Sequence, residues 1–219
     1  MCETCVLLLP YDQETSSSIS TRDLLIDLKY FLTNQRLFST AIVEMAIYFA
    51  YGAFETYLPL YLTQLKIQAS QIGLIFSVQI LAIALSKPLF GKIADRVDKR
   101  ILILSGVIML GISIGFIGFF QSIMASIILG ILFGLSLSFS TVTTSTYIAE
   151  VTAPDKLGSS LGALSSIMDI GQTIGPFITG IAITYFSYQI GFLLSLILAV
   201  ITGLTFYWFN FQKSNLSKI

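Results

Sequence analysis

The stretch GKIADRVDKR, residues 91–100, packs four basic and two acidic side chains into ten positions. On both sides lie long runs of Ile, Leu, Phe, Ser and Gly with almost no charge. A charged turn between two such runs reads as the wet connection between segments buried in something other than water. Composition says what that is. Of 219 residues, 55% are hydrophobic and 11% charged, with a mean hydropathy of +0.85. A soluble domain has about 25% charged residues, so this chain cannot cover itself with a solvated surface. An all-α, multi-pass membrane protein is expected. The net charge of zero offers nothing to nucleic acid, and no nucleic-acid partner is expected. Histidine is absent, which removes the commonest general base and proton shuttle and the HExxH zinc helix. No enzyme chemistry, metal site or cofactor is expected.

A membrane-spanning helix needs about 20 apolar residues. Six spans qualify: 38–62, 70–92, 101–119, 122–147, 157–184 and 188–210. Connections such as FQS at Gln121 and YFSYQ at Tyr185 are short, which predicts antiparallel neighbours in one bundle. With the N-terminus inside, one side holds Arg22, Lys29, Arg36, Arg96, Lys99, Arg100, Lys156, Lys213 and Lys218, and the other only Lys66. The positive-inside rule then puts both termini in the cytoplasm and the chain in the cell membrane. Lys87 and Lys92 lie near the inner end of span two, where Lys87 either snorkels to the surface or pairs with an acid.

Residues 38–210 form the six-helix unit, 211–219 a cytoplasmic tail, and 1–37 a cytoplasmic segment. Cys2 and Cys5 make a lone CxxC, a weak metal or redox signal. The apolar run beside them is short, lacks a basic flank and does not read as a signal peptide. A polar, flexible piece follows. Residues 22–37 then carry Leu24, Leu25, Leu28, Phe31 and Leu32 at helical spacing, which predicts an amphipathic helix on the inner membrane surface, or a linker helix without a role of its own.

Acids in hydrocarbon cost about 2.5–3.5 kcal/mol each at the bilayer centre and usually face a cavity. Glu44, Glu55 and Asp169 lie inside spans. Glu44 and Glu55 are close to three helical turns apart, with Tyr48 and Tyr51 between them on the same face. Glu44 is either a cavity acid or a near-interface acid reaching the cytoplasm. Asp169 shares a face with Ser165 and Gln172; it is either a coupling acid or a structural one where helices five and two cross. The hydroxyl run of span four (Ser136, Ser138, Ser140, Thr141, Thr143, Thr144, Ser145 and Thr146) fits a polar path or helix packing equally well.

The opening stretch is narrower than an ordinary basic turn. Gly91, Asp95, Arg96, Lys99 and Arg100 resemble the signature loop that follows the second helix of each six-helix half in the major facilitator superfamily. Asp98 stands where that loop usually has Gly. Span five carries GALSSIMDIGQTIGPFITG, with Gly162, Gly171, Gly175, Pro176 and Gly180 resembling the superfamily's glycine-proline motif; Thr179 stands where glycine is common. Small residues let helices approach closely, and Gly-Pro gives a bend. The chain resembles a C-terminal half over about residues 5–210, with 1–37 similar to the central linker. Span four has Ser126 where N-terminal halves often carry arginine.

The resemblance implies secondary transport of a small solute by alternating access between two six-helix bundles. Protons would be the coupling ion, and the partner a six-helix half or a second copy, all among membrane lipids. It makes Glu44, Tyr48, Tyr51 and Glu55 candidates for substrate or proton contact. It makes the Asp95 loop a gate set against the first turn of span five, Leu157 to Ser160, with Arg96 paired to Asp155 or Glu150. The alternative is a truncated or regulatory membrane fragment without transport of its own. Substrate and direction are not legible from one half.

Overall fold

The computed structural model describes residues 30, 31 and 33–211. They form six long helices: α1 (Gln35–Gln64), α2 (Ala69–Ala94), α3 (Lys99–Ile117), α4 (Ile123–Val151), α5 (Leu157–Tyr185) and α6 (Tyr188–Phe211), with a 3₁₀ turn at Pro154–Lys156 before α5. All six are long and apolar enough to cross a membrane. There is no strand among the described residues. Asn34 caps α1 and Asp98 caps α3 through their side chains. The α4 helix runs four residues past its apolar stretch to Val151, because hydroxyls that bond their own helix leave nothing to stop it before Thr152 and Pro154.

Short connections make only some sequence neighbours spatial ones here. The main pairings are α1 with α5, α2 with α4, and α3 with both α6 and α4; α1 also packs on α6, and α1 barely touches α2. Glycine placement accounts for this. A Cβ at Gly134 of α4 would lie 2.8 Å from the Gln79 carbonyl of α2, and one at Gly111 of α3 would lie 2.7 Å from the Ala199 side chain of α6. In lipid, helices gain no hydrophobic advantage from meeting; they pair where backbones approach closely and gain dispersion contacts. The expected antiparallel stacking of consecutive spans therefore holds for α3 with α4 and in part for α5 with α6, and elsewhere gives way to pairing by small-residue faces.

The core lies around α1. Of its apolar window 72% is buried, against 17% for α2 and 22% for α5. Phe54 of α1 stacks on Phe133 of α4 at 4.3 Å and meets Phe76 of α2 edge-on. So α1 is the spine, and α2 and α5 are walls with open outer faces. At the end bearing Arg36, Phe31 is fully buried with Leu37, Ala41, Ile148 and Leu164. Phe31 therefore packs on protein and does not lie on the membrane surface, contrary to the amphipathic-helix expectation. Leu24, Leu25, Leu28 and Leu32 of that segment lie outside the described residues, as do both cysteines and residues 212–219.

Candidate functional site

The α1–α5 crossing is the closest in the bundle. Pro176 has no N–H for the Gln172 carbonyl, and that oxygen faces Gly52 of α1, where a Cβ would come within 2.5 Å of it. Gly171 and Gly175 lie against the Met45 and Phe49 carbonyls, with no room for a Cβ. Gly180 lies against the Tyr57 hydroxyl, which donates to the Pro176 carbonyl at 2.9 Å. Gly162 differs from the expectation: nothing lies within 4 Å of it, and it makes no close helix contact.

This crossing brings Glu55 and Asp169 onto one two-helix surface and leaves Glu44 buried away from it. Glu44, 1% exposed, is enclosed beside the Thr144 hydroxyl of α4, and its Oε2 has no partner among the described residues. It does not reach the helix end. Tyr48 and Tyr51 meet edge-to-face at 6.0 Å and are half-buried. The Tyr51 hydroxyl bonds the exposed Glu55 carboxylate, which also accepts from Gln172 Nε2 at 3.5 Å. Asp169 is exposed, lies close enough to Tyr48 to act on it electrostatically, and makes no side-chain bond among the described residues. The expected crossing of helices five and two does not occur, since α5 packs on α1. The structural reading of Asp169 therefore loses its basis. Lys87 is exposed on α2 and forms no ion pair among the described residues. The face thus carries exposed acids at mid-helix depth that form no ion pair among the described residues.

The hydroxyl run on α4 is mostly self-satisfied. Ser136 donates to the Leu132 carbonyl, Thr143 to Phe139, Thr144 to Ser140 and Thr146 to Val142, at 2.6 to 3.0 Å. Ser138 instead reaches the Ile83 carbonyl of α2 at 3.3 Å. Thr144 alone among them borders one of the acids.

At the basic end, Gly91 lies inside α2 and has nothing within 4 Å, so it provides neither a tight exit nor a close approach. Asp95 ends α2, its N–H bonding the Gly91 carbonyl. Asp98, the departure from the resembled loop, caps α3: Oδ1 accepts from the Arg100 N–H at 2.9 Å, and Oδ2 pairs with its guanidinium at 2.8 Å. That guanidinium holds the Asp98 carboxyl below the usual aspartate range. Lys99 pairs with Glu150 of α4 at 2.7 Å. Asp95 and Arg96 are exposed and form no side-chain bond among the described residues. The latch onto α5 is not formed, because α2 packs on α4 and its end emerges beside α4, where Lys99 already holds Glu150.

A family model, Major Facilitator Superfamily, matches residues 6–218. The chain belongs to the major facilitator superfamily. It is a multi-pass membrane protein. This superfamily chain is 28% identical over 137 residues to an uncharacterized MFS-type transporter of Methanocaldococcus jannaschii, covering 63% of this chain and 36% of that protein. It is 29% identical over 157 residues to a multi-drug resistance efflux pump PmrA homolog of Lactococcus lactis, covering 69% and 38%. It is 32% identical over 137 residues to the multidrug resistance protein MdtG of Yersinia enterocolitica, covering 60% and 33%. The matched region thus spans little more than a third of each relative.

Some residues of this superfamily bundle escaped the sequence reading. Asn210 is buried and ties three helices together: its Oδ1 accepts from the Tyr147 hydroxyl at 2.7 Å and its Nδ2 donates to Ser39 Oγ at 2.9 Å. An amide at the far end of a mostly apolar last span was the available signal. Its partners lie 63 and 171 residues away in sequence, beyond the reach of spacing rules.

Proposed function

We propose that this chain acts as a C-terminal six-helix half in secondary transport, closing a central cavity together with a second six-helix bundle. The observation that carries this is the exposed face of α1 and α5. Glu55 and Asp169 stand open there at mid-helix depth without a counter-charge. Uncovered acids in hydrocarbon are costly, so the face needs a covering bundle, water or a cationic ligand. Alternating access of the two bundles supplies the first two and admits the third. Tyr48 and Tyr51 add two ring faces that attract cations. A small organic cation is therefore the proposed solute class and efflux the proposed direction, in keeping with the printed names of the relatives. Glu44 is the proposed proton site, since its buried and unpartnered Oε2 takes a proton or a mobile donor. The basic end is proposed to face the cytoplasm, with both termini there, in the cell membrane.

The test is reconstitution in liposomes, with and without a co-expressed six-helix N-terminal half. Saturable, proton-driven movement of an organic cation should need both. Saturable transport by the isolated chain as a monomer overturns the proposal. A chain that captures no partner and alters no transport is the regulatory or truncated fragment instead.

A further inference from the structure

A second cavity, of about 400 Å³, lies at the basic end of the bundle, separate from the acid face. Its walls carry Arg36 at the start of α1, Asp98, Lys99 and Arg100 at the start of α3, and Tyr147 and Glu150 near the end of α4. We propose that this cavity binds a phosphodiester anion, the headgroup of an anionic phospholipid or a soluble phosphodiester. The proposal does not depend on the transport reading.

Charge comes first. Three cations against two carboxylates leave one positive charge, which a singly charged phosphodiester neutralises. Lys99 and Arg100 are engaged by Glu150 and Asp98. Arg36 is exposed and has no ion pair among the described residues, so it is the cation left for a ligand. The N-terminal ends of α1 and α3 border the cavity with partial positive charge, and the C-terminal end of α4 borders it with the opposite sign, so the side chains set the net charge of the space.

The wall is held in place before any ligand arrives. Arg100 Nη1 donates to the Asn210 carbonyl at 3.2 Å, Tyr147 donates to Asn210 Oδ1, and Asn210 Nδ2 donates to Ser39 beside Arg36. Asn210 and Ser39 are buried, so α1, α3, α4 and α6 are joined by one hydrogen-bonded network behind the basic side chains. A fixed wall avoids the ordering cost that weakens loop-built sites. The cavity lies at the ends of spanning helices, the depth of lipid headgroups, where basic pockets meet anionic lipid.

The experiment is native mass spectrometry of the full chain in detergent, incubated with phosphatidylglycerol or with diacylglycerol, which shares the acyl chains and lacks the phosphate. Phosphatidylglycerol should be retained and diacylglycerol not. Arg36→Gln should weaken retention about tenfold, the loss of one charge-assisted hydrogen bond, and Arg36→Lys should restore most of it. Arg36 makes no side-chain bond that the fold needs. Lys92→Gln, at the same end but outside the cavity, should change nothing. Displacement by equimolar glycerophosphoglycerol, the same phosphodiester without its acyl chains, identifies a soluble phosphodiester as the occupant; lipid retained despite it identifies the headgroup. Retention equal in Arg36→Gln and the parent, equal loss in Lys92→Gln, or equal retention of diacylglycerol each overturn the site.

Discussion

Asp98 shows how one residue departs from a motif and takes a different job. A glycine there would leave the first turn of α3 uncapped; the carboxylate accepts the Arg100 N–H and also holds its guanidinium. Asp98→Ala should destabilise the bundle by about 1 kcal/mol, the usual cost of an N-cap, measured as a lower melting temperature. The pH sign follows from the lowered carboxyl. A group depressed in the folded state stabilises above its unfolded value, about 3.9, and loses that contribution as pH falls through the folded one. The Asp98 contribution should therefore be flat from pH 7 to about pH 5 and fade only below about pH 4, the effect being small because the pair is partly exposed. An Asp98→Asn variant whose stability falls as steeply with acid as the parent's contradicts this. Glu44 poses the second residue-scale test. Glu44→Gln in the assembled transporter should remove proton coupling while leaving solute binding within about threefold, a shift below 1 kcal/mol. Unchanged pH dependence of transport removes Glu44 from coupling.

At the scale of elements, the α1–α5 pair depends on the absence of side chains. Gly171 and Gly175 touch backbone carbonyls of α1, which cannot retreat as a flexible side chain would. Gly175→Leu should cost about 1–3 kcal/mol or more through overpacking, read as a lower melting temperature in detergent. Gly162→Leu should lie within about 0.5 kcal/mol of the parent, since surface changes away from contacts are nearly neutral. Equal losses at both positions would show that the crossing does not set the packing. The two glycines belong to one sequence motif, yet only one is enclosed. Motif membership did not distinguish them; where α5 packs against α1 did.

For the whole molecule, the question is what covers the open face. If a second bundle does, a cysteine placed by Asp169→Cys should react with a maleimide in the isolated chain and be protected on adding the partner half. A cysteine at Ile197, exposed on α6, serves as the control. Protection of both positions, or of neither, argues against a partner seated on α1 and α5. The acidic face and the basic cavity sit in different parts of the bundle, so substitutions at Asp169 and Arg36 should act independently, their effects adding within about 0.5 kcal/mol.

Six helices and their family were legible in the chain, because apolar length and two motifs are local properties that no packing can hide. Glu44, Tyr48, Tyr51 and Glu55 were legible as one helical face for the same reason: a period of 3.6 is set by the backbone. Which side of that face is enclosed was not. Glu44 is buried beside Thr144 and Glu55 is open because α4 and α5 flank α1 differently along its length, and that arrangement rests on contacts 100 or more residues apart in sequence. The partners of Lys99 and Arg100 were hidden likewise. Basic residues at a helix start announce charge, but which carboxylate or carbonyl they meet follows from which helices the glycines bring together. Helix pairing in a membrane is decided by the fit of small surfaces, and fit is a property of two helices at once.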